Sequence, residues 1–316
     1  ILKDLRTAKR SAAYFRDHHV KAAIIAGWSS VHQLRLMRLC RRMRIPFFIL
    51  GDSNILKDQP RSWLSKTLKR LCLRWIGKRC AGFMPIGTLG QKFFEFYGAD
   101  PRKIFIVPLE PDYTRFDAVD KDKLAGFFQR RGLSREKRYV LYMGRMVSVK
   151  RPDLLIDAFV KLAPEELEWD LLMGGKGPLD QALRERVPRE LHSRVHWLGF
   201  CETSEVTLAF QAADVFVLPS SREPWALVIN EAAAAGLAIV ASDMVGAAYD
   251  IVQDGVSGRV FQSGDLDSLC RALSDAMNGE NCQRYKKAVR ESLAAWRKKA
   301  DVADGVRKAL ASVGLP

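Results

Sequence analysis

Short apolar runs alternate along this chain with stretches whose apolar residues recur every three or four positions. In the first third, "AAIIAGW", "PFFILGD", "AGFMPIG" and "KIFIVPLE" have the composition of strands, and helical periodicity begins near Ser30, Arg61 and Leu89. A polar segment covers about residues 111 to 138. The alternation then restarts with "RYVLYMG", "WDLLMG", "RVHWLGF", "DVFVLPS" and "LAIVAS", each followed by a helical run. Near-continuous apolar strands separated by helices predict parallel sheets covered on both faces. The pattern therefore predicts an α/β protein of two doubly wound Rossmann-like domains, the first over 1–125 and the second over 126–290, with a charged helical tail at 291–316. A doubly wound nucleotide-handling domain commonly has about six strands. Only four are readable before the polar segment, on a chain that opens with a helix and without methionine, so the first domain is expected to be incomplete.

Composition adds limits. The 316 residues are 48% hydrophobic, enough for large cores. No apolar run reaches the roughly 18 to 20 residues of a membrane span, and no signal-peptide pattern opens the chain. The six cysteines show no CxxC pair or framework spacing, which favours reduced thiols in a cytoplasmic protein.

Charge changes the picture more. The net charge is +15, yet residues 1–104 hold 22 Lys and Arg against 6 Asp and Glu, while the remainder holds 29 against 30. The densest parts, "RLMRLCRRMR" and "SKTLKRLCLRWIGKR", read as basic amphipathic helices. Each is either a solvated helix face or part of a surface over residues 35–79 that attracts anionic lipid. No nucleic-acid module accompanies them, so nucleic acid is not the expected partner.

Candidate chemistry lies in the second half. Arg145 follows a strand's carboxyl end and Lys150 precedes the next helix, where ligands of open α/β sheets bind and where two cations suit a diphosphate. "MGGKGP" matches neither phosphate-loop pattern, and reads as a tight turn or as a place where a nucleoside approaches the backbone. In "SSREPWALVINEAAAAG" the helix is expected to start near Trp225, with Pro224 at or before its first turn. Glu223 and Glu231 would then stand about 80° apart around the axis and about 12 Å apart along it. That is too far for an acid–base pair on one oxygen, but suits one long ligand with a sugar at Glu223, a ribose at Glu231 and phosphates at the Ala226 and Leu227 amides. The plainer alternative is a capping Glu223 and an exposed Glu231. "DLD" at 265–267 reads as a helix cap rather than a metal motif, and His192 and His196 fall on a strand reading that does not make a ligand pair, so no metal site is expected.

The series "GRMVSVKRPDLLIDAF", "LLMGGKGPL", "VHWLGF" and "AADVFVLPSSREPWALVINEAAAAGLAIVASDMVGAAYDIVQDGVSGRVF" resembles the successive motifs of the family 4 retaining glycosyltransferases, densely from about residue 138 to 280. The resemblance implies a GT-B fold, two Rossmann-like domains facing a cleft. It implies that Glu223 and Glu231 form the E-x7-E motif, that Arg145 and Lys150 hold the donor diphosphate, and that Gly199 and Phe200 border the base. Gly144, Pro224, Trp225, Ala226 and Leu227 complete the expected donor set. This chain departs from the family in having Ala226 in place of glycine, Ala238 in place of proline, and "GDSN" where many members place a histidine near the sugar. Asp52 or Ser53 is the acceptor-side substitute expected there.

The expected function is transfer of a sugar from a nucleotide diphosphate sugar to a hydroxyl of a glycan or lipid-linked acceptor, without cofactor or metal, on the cytoplasmic face of a bacterial inner membrane. A sugar-nucleotide epimerase or phosphorylase on the same fold, and a catalytically silent nucleotide-sugar-binding protein, are the alternatives.

Overall fold

The computed structural model describes residues 2–56 and 62–316, with side chains from Arg10 onward. The expected helix start at Arg61 lies outside the described residues. Contacts divide the chain into two compact units, residues 1–109 with 299–316, and residues 110–298.

The first unit holds a parallel sheet of β1 (Ala23–Ala26), β2 (Phe47–Gly51) and β3 (Gly82–Pro85) in that order. Helices α1 (Leu2–Asp17), α2 (Val31–Arg42), α3 (Trp63–Gly77) and α4 (Thr88–Phe96) precede or connect the strands. Ser30 starts α2 as a capping box with Gln33, which satisfies two amides that a helix start leaves free. The expected fourth strand, "KIFIVPLE", is reduced to an isolated bridge of Ile104 to Phe83. The Phe105 and Val107 amides donate to Phe83 and Pro85, but Pro85 has no N–H to return to the Phe105 carbonyl, so the ladder breaks. The tail helix α13 (Val302–Ala311) packs Ala309 against Phe48, Met84 and Val107. Gly305 permits this approach, since a Cβ there would lie 2.2 Å from the Ile106 carbonyl oxygen.

The second unit begins earlier than the expected residue 126. Its first residues form a 3-10 turn, Tyr113–Phe116, and α5 (Lys121–Arg131), so the polar segment is not a bare linker. Phe116 meets Phe210 edge-on, Arg131 pairs with Glu205 at 2.8 Å, and Gln211 donates to the Ala118 carbonyl. The contacts of Phe116 and Ala118 place 110–125 with the second unit. Asp120 caps α5 and Gly132 closes it in the left-handed conformation.

Six parallel strands follow: β4 (Arg138–Met143), β5 (Trp169–Gly174), β6 (Val195–Gly199), β7 (Val215–Leu218), β8 (Ala238–Ser242) and β9 (Gly258–Phe261), in the order β6-β5-β4-β7-β8-β9. The last was not read from the sequence, being four residues long and half-exposed at Arg259 and Val260. Helices α6 (Pro152–Leu162), α7 (Asp180–Arg186), α8 (Thr203–Ala212), α9 (Leu227–Ala235), α10 (Gly246–Ile251), α11 (Leu266–Met277) and α12 (Gly279–Lys299) connect or cover them. One core cluster joins Val140, Leu155, Phe159, Trp169, Leu171 and Val215, each fully buried. Each such side chain contributes about 1.5–3 kcal/mol on burial. The order reverses direction between β4 and β7, and at such a switch point two adjacent loops diverge and leave a crevice at the strands' carboxyl ends.

Candidate functional site

The loops after β4 and β7 carry the main charged residues expected of the site, and both belong to the second unit. After Gly144 the chain turns sharply, and the Tyr142 hydroxyl donates to the Arg145 carbonyl at 2.9 Å. Arg145 is exposed and forms no ion pair among the described residues. Lys150 ends a 3-10 turn, Ser148–Lys150, and its Nζ forms an ion pair with Glu223 Oε1. Ser221 fastens the two loops, donating from its amide and its hydroxyl to the Val149 carbonyl. Glu223 is buried, accepts from Ser220 Oγ at 3.3 Å, and is clamped by its backbone to Met244 and Gly246. Burial pushes the Tyr142 phenol far up, with the Glu223 and Asp153 carboxylates adding to the shift, so it stays a neutral donor.

The glycine-rich turn after β5 serves backbone packing. A Cβ on Gly175, at φ +118°, would lie 1.9 Å from the Gly144 carbonyl oxygen, and one on Gly177 2.3 Å from that of Met146. The Gly175 amide donates to the Gly199 carbonyl at 2.7 Å, so the ends of β4, β5 and β6 are joined glycine to glycine. Gly199 itself is left-handed at φ +69°, and Phe200 projects 65% exposed beside it.

The helix after Glu223 starts two residues later than expected, at Leu227. Its N-cap is Ala226 at φ 82°, ψ 80°, a left-handed conformation in a residue with a Cβ, and no side chain caps the first amides. Pro224 therefore lies ahead of the helix rather than in its first turn. Trp225 turns inward and is buried with its ring 5.5 Å from that of Trp296.

Glu231, on α9, is neither a surface residue nor unpartnered. Arg115 Nη1 stands 3.5 Å from its Oε1, while the same guanidinium donates to Thr207 Oγ1 and the Thr203 carbonyl on α8. Burial pushes the Glu231 carboxyl up and Arg115 holds it down. Next to it, fully buried Asn230 donates to the Tyr113 hydroxyl at 3.0 Å. Sequence reasoning missed Arg115 and Tyr113, because both fall in a segment without periodicity.

Asp52 and Ser53 lie in the first unit, in a cavity of about 590 Å³ at the carboxyl ends of β1 and β2, shared with Trp28, Ser29, Lys69 and Phe93. Asp265 caps α11 by accepting from the Ser268 amide, and Asp267 pairs with Lys161. His196 is on β6, 2.9 Å from Asp170, and His192 hydrogen-bonds the Val187 carbonyl, so the two have separate partners. All six cysteines are free thiols. No helix among the described residues is long and apolar enough to cross a membrane.

The architecture is that of known glycosyltransferase structures. The Anabaena protein HepE in complex with UDP superimposes with a TM-score of 0.77 at 18% identity, over 97% of this chain and 81% of that one. Its likeness shows the shared fold, GT-B. Among curated relatives, the D-inositol 3-phosphate glycosyltransferase of Geodermatophilus obscurus is 32% identical over 193 residues, 58% of this chain and 42% of that protein. The phosphatidyl-myo-inositol mannosyltransferase of Mycobacterium tuberculosis is 31% identical, over 68% of this chain and 54% of that protein. The chain thus spans about half the length of the curated relatives it matches. The family model for glycosyl transferases group 1 matches residues 126–292, which hold nearly the whole of the second unit with its Lys150–Glu223 pair, and the chain belongs to that family.

Proposed function

We infer that this protein moves a sugar from a nucleotide diphosphate sugar to a hydroxyl of a glycan or lipid-linked acceptor, with retention at the anomeric carbon. The observation that carries this reading is the arrangement at the switch point: Arg145 and the Lys150–Glu223 pair at the ends of β4 and β7, and the uncapped amides of α9. Cleaving the donor leaves negative charge on the nucleoside diphosphate. Arg145, Lys150 and the start of α9 meet that charge, and so the reaction as proposed needs neither metal nor cofactor. Glu223 orients the sugar hydroxyls and supports the positive charge that develops at the anomeric carbon. Glu231 accepts from the ribose hydroxyls, Gly199 and Phe200 border the base, and Gly144, Pro224, Trp225, Ala226 and Leu227 complete the donor set. Asp52 and Ser53 are proposed for the acceptor side.

The solved complexes of HepE with UDP and with UDP-glucose support a nucleotide sugar as the donor class. The name of the phosphatidyl-myo-inositol mannosyltransferase supports a lipid as the acceptor class. The basic first unit supports a peripheral place on an anionic inner-membrane surface through residues 35–79.

The purified chain, screened against nucleotide sugars for thermal stabilisation and then for transfer, tests this reading. Glu223→Ala and Arg145→Ala are each expected to lower transfer at least about a hundredfold. Unchanged turnover in either folded variant refutes the roles, and product from donor alone or from added phosphate points to an epimerase or a phosphorylase instead.

A further inference from the structure

The two basic helices of the first unit differ in a way their sequences do not reveal. Helix α2 buries Met37 and Cys40 and packs Leu34 and Leu36 against the same core. Helix α3 buries only Leu73 and Ile76, and leaves Leu64, Leu68, Leu71 and Trp75 between 40% and 61% exposed. Those four positions follow the i, i+4, i+7, i+11 spacing of a single helix face. An apolar stripe on a helix with five cations among its residues and its C-cap, Lys66, Lys69, Arg70, Arg74 and Lys78, is unlike an ordinary solvated face.

At its end the stripe opens into a cavity of about 790 Å³ lined by Arg74, Trp75, Lys78, Arg79, Asp100 and Lys103, among others. The residues come from the end of α3 and from the turns that precede β3 and Ile104, so this cavity faces the amino-terminal edge of the sheet, away from the cavity holding Asp52. Four of the six are cations. Arg74, Lys78 and Lys103 form no ion pair among the described residues. The Arg79 guanidinium stacks 4.1 Å from the Trp75 ring, with Nη1 on the Trp75 carbonyl and a buried Nε that has no hydrogen-bond partner. The single acid, Asp100, pairs with Arg102 at 2.8 Å and also attracts Lys103, which leaves the group with a net positive charge.

We propose that this cavity binds the phosphate headgroup of an acidic bilayer lipid, with α3 lying along the interface and its apolar stripe turned toward the acyl chains. Charge and shape point to the same occupant: a phosphate beside the cations, and hydrocarbon beside Leu64, Leu68, Leu71 and Trp75. The inference rests on the membrane-surface part of the proposed function and assigns it to one helix and one cavity.

The test is sedimentation of the full chain with phosphatidylcholine vesicles, with and without phosphatidylglycerol, alongside UDP binding to the same preparations. Binding is expected only with phosphatidylglycerol. Arg74→Gln with Lys78→Gln should weaken it about 25-fold, near fivefold for each cation, and Leu68→Ser with Leu71→Ser should abolish the part that survives high salt. Lys103→Gln, outside α3, should cost about fivefold and keeps the test valid if the helix variants misfold. Arg38→Gln with Arg41→Gln, the same charge change on α2, should cost clearly less. Equal losses from the two double arginine or lysine variants refute the cavity while leaving a diffuse membrane attraction. Inorganic phosphate that binds without competing with vesicles refutes the lipid headgroup. Absence of vesicle binding in a chain that still binds UDP sinks the membrane assignment and leaves the donor site standing.

Discussion

Ala226→Gly should stabilise the second unit, although alanine to glycine in a helix normally does the opposite. Ala226 is the N-cap of α9 at φ 82°, ψ 80°. For a residue with a Cβ that region costs roughly 1–2 kcal/mol, because the Cβ crowds the following carbonyl. Glycine removes this strain but raises the entropy of the unfolded chain by about 0.5–1 kcal/mol. The net gain is up to about 1.5 kcal/mol, which in a unit of this size raises the unfolding midpoint by up to about 3–6 °C. Ala234→Gly is the control, since Ala234 is inside the same helix and should lose about 1 kcal/mol. Calorimetry on both variants reads the difference, and UDP titration shows whether removing the methyl group changes the donor site. If both substitutions destabilise by the same amount, the left-handed N-cap is not strained and the argument from its backbone fails.

Gly175→Ala places a Cβ 1.9 Å from the Gly144 carbonyl oxygen at φ +118° and should cost more than about 3 kcal/mol, whereas Gly132→Ala, left-handed but with nothing within 4 Å, should cost at most about 1.5 kcal/mol in urea unfolding once the lower entropy of the unfolded chain is counted. Similar losses would show that the strand ends do not require glycine-to-glycine contact. Arg115→Ala should make stability more pH-dependent. The folded pKa of Glu231 is raised by burial, so the folded state takes up a proton first, and the carboxylate lowers stability above its folded pKa but not below the unfolded one. Removing Arg115 raises the folded pKa further, so the deficit should be largest near neutrality and shrink toward about pH 4; a deficit constant with pH would mean that Arg115 acts as a packing clasp only.

Much of the fold was legible because it depends on local pattern. Strands such as Val140–Tyr142 and Leu171–Met173 are apolar throughout because both faces are covered, and several helices carry their own caps, as at Ser30, Asp120 and Asp265. The misses have physical reasons. β9 is too short and half-exposed to stand out, and α5 sits in a charged segment whose buried anchor is Phe127 alone. The break at "KIFIVPLE" follows from Pro85 on the neighbouring strand, and no reading confined to residues 103–110 reveals it.

The site divides the same way. Residue types at the loops after β4 and β7 marked Arg145, Lys150, Glu223 and Glu231, since a carboxylate in an apolar helix and cations at a strand end need a reason wherever they occur. Which groups meet is a matter of long-range packing. The sheet order puts Lys150 against Glu223 across 73 positions of sequence, α8 and α9 bring Arg115 to Glu231, and α12 brings Trp296 against Trp225. The sequence by itself determined the alternation of strands and helices, the glycosyltransferase motifs and the location of the charge excess, because each is written in neighbouring residues. Only the tertiary structure decided the partners of the buried charges, the backbone strain at Ala226 and the exposure of α3 in contrast to α2, because each depends on what the rest of the chain places beside those residues.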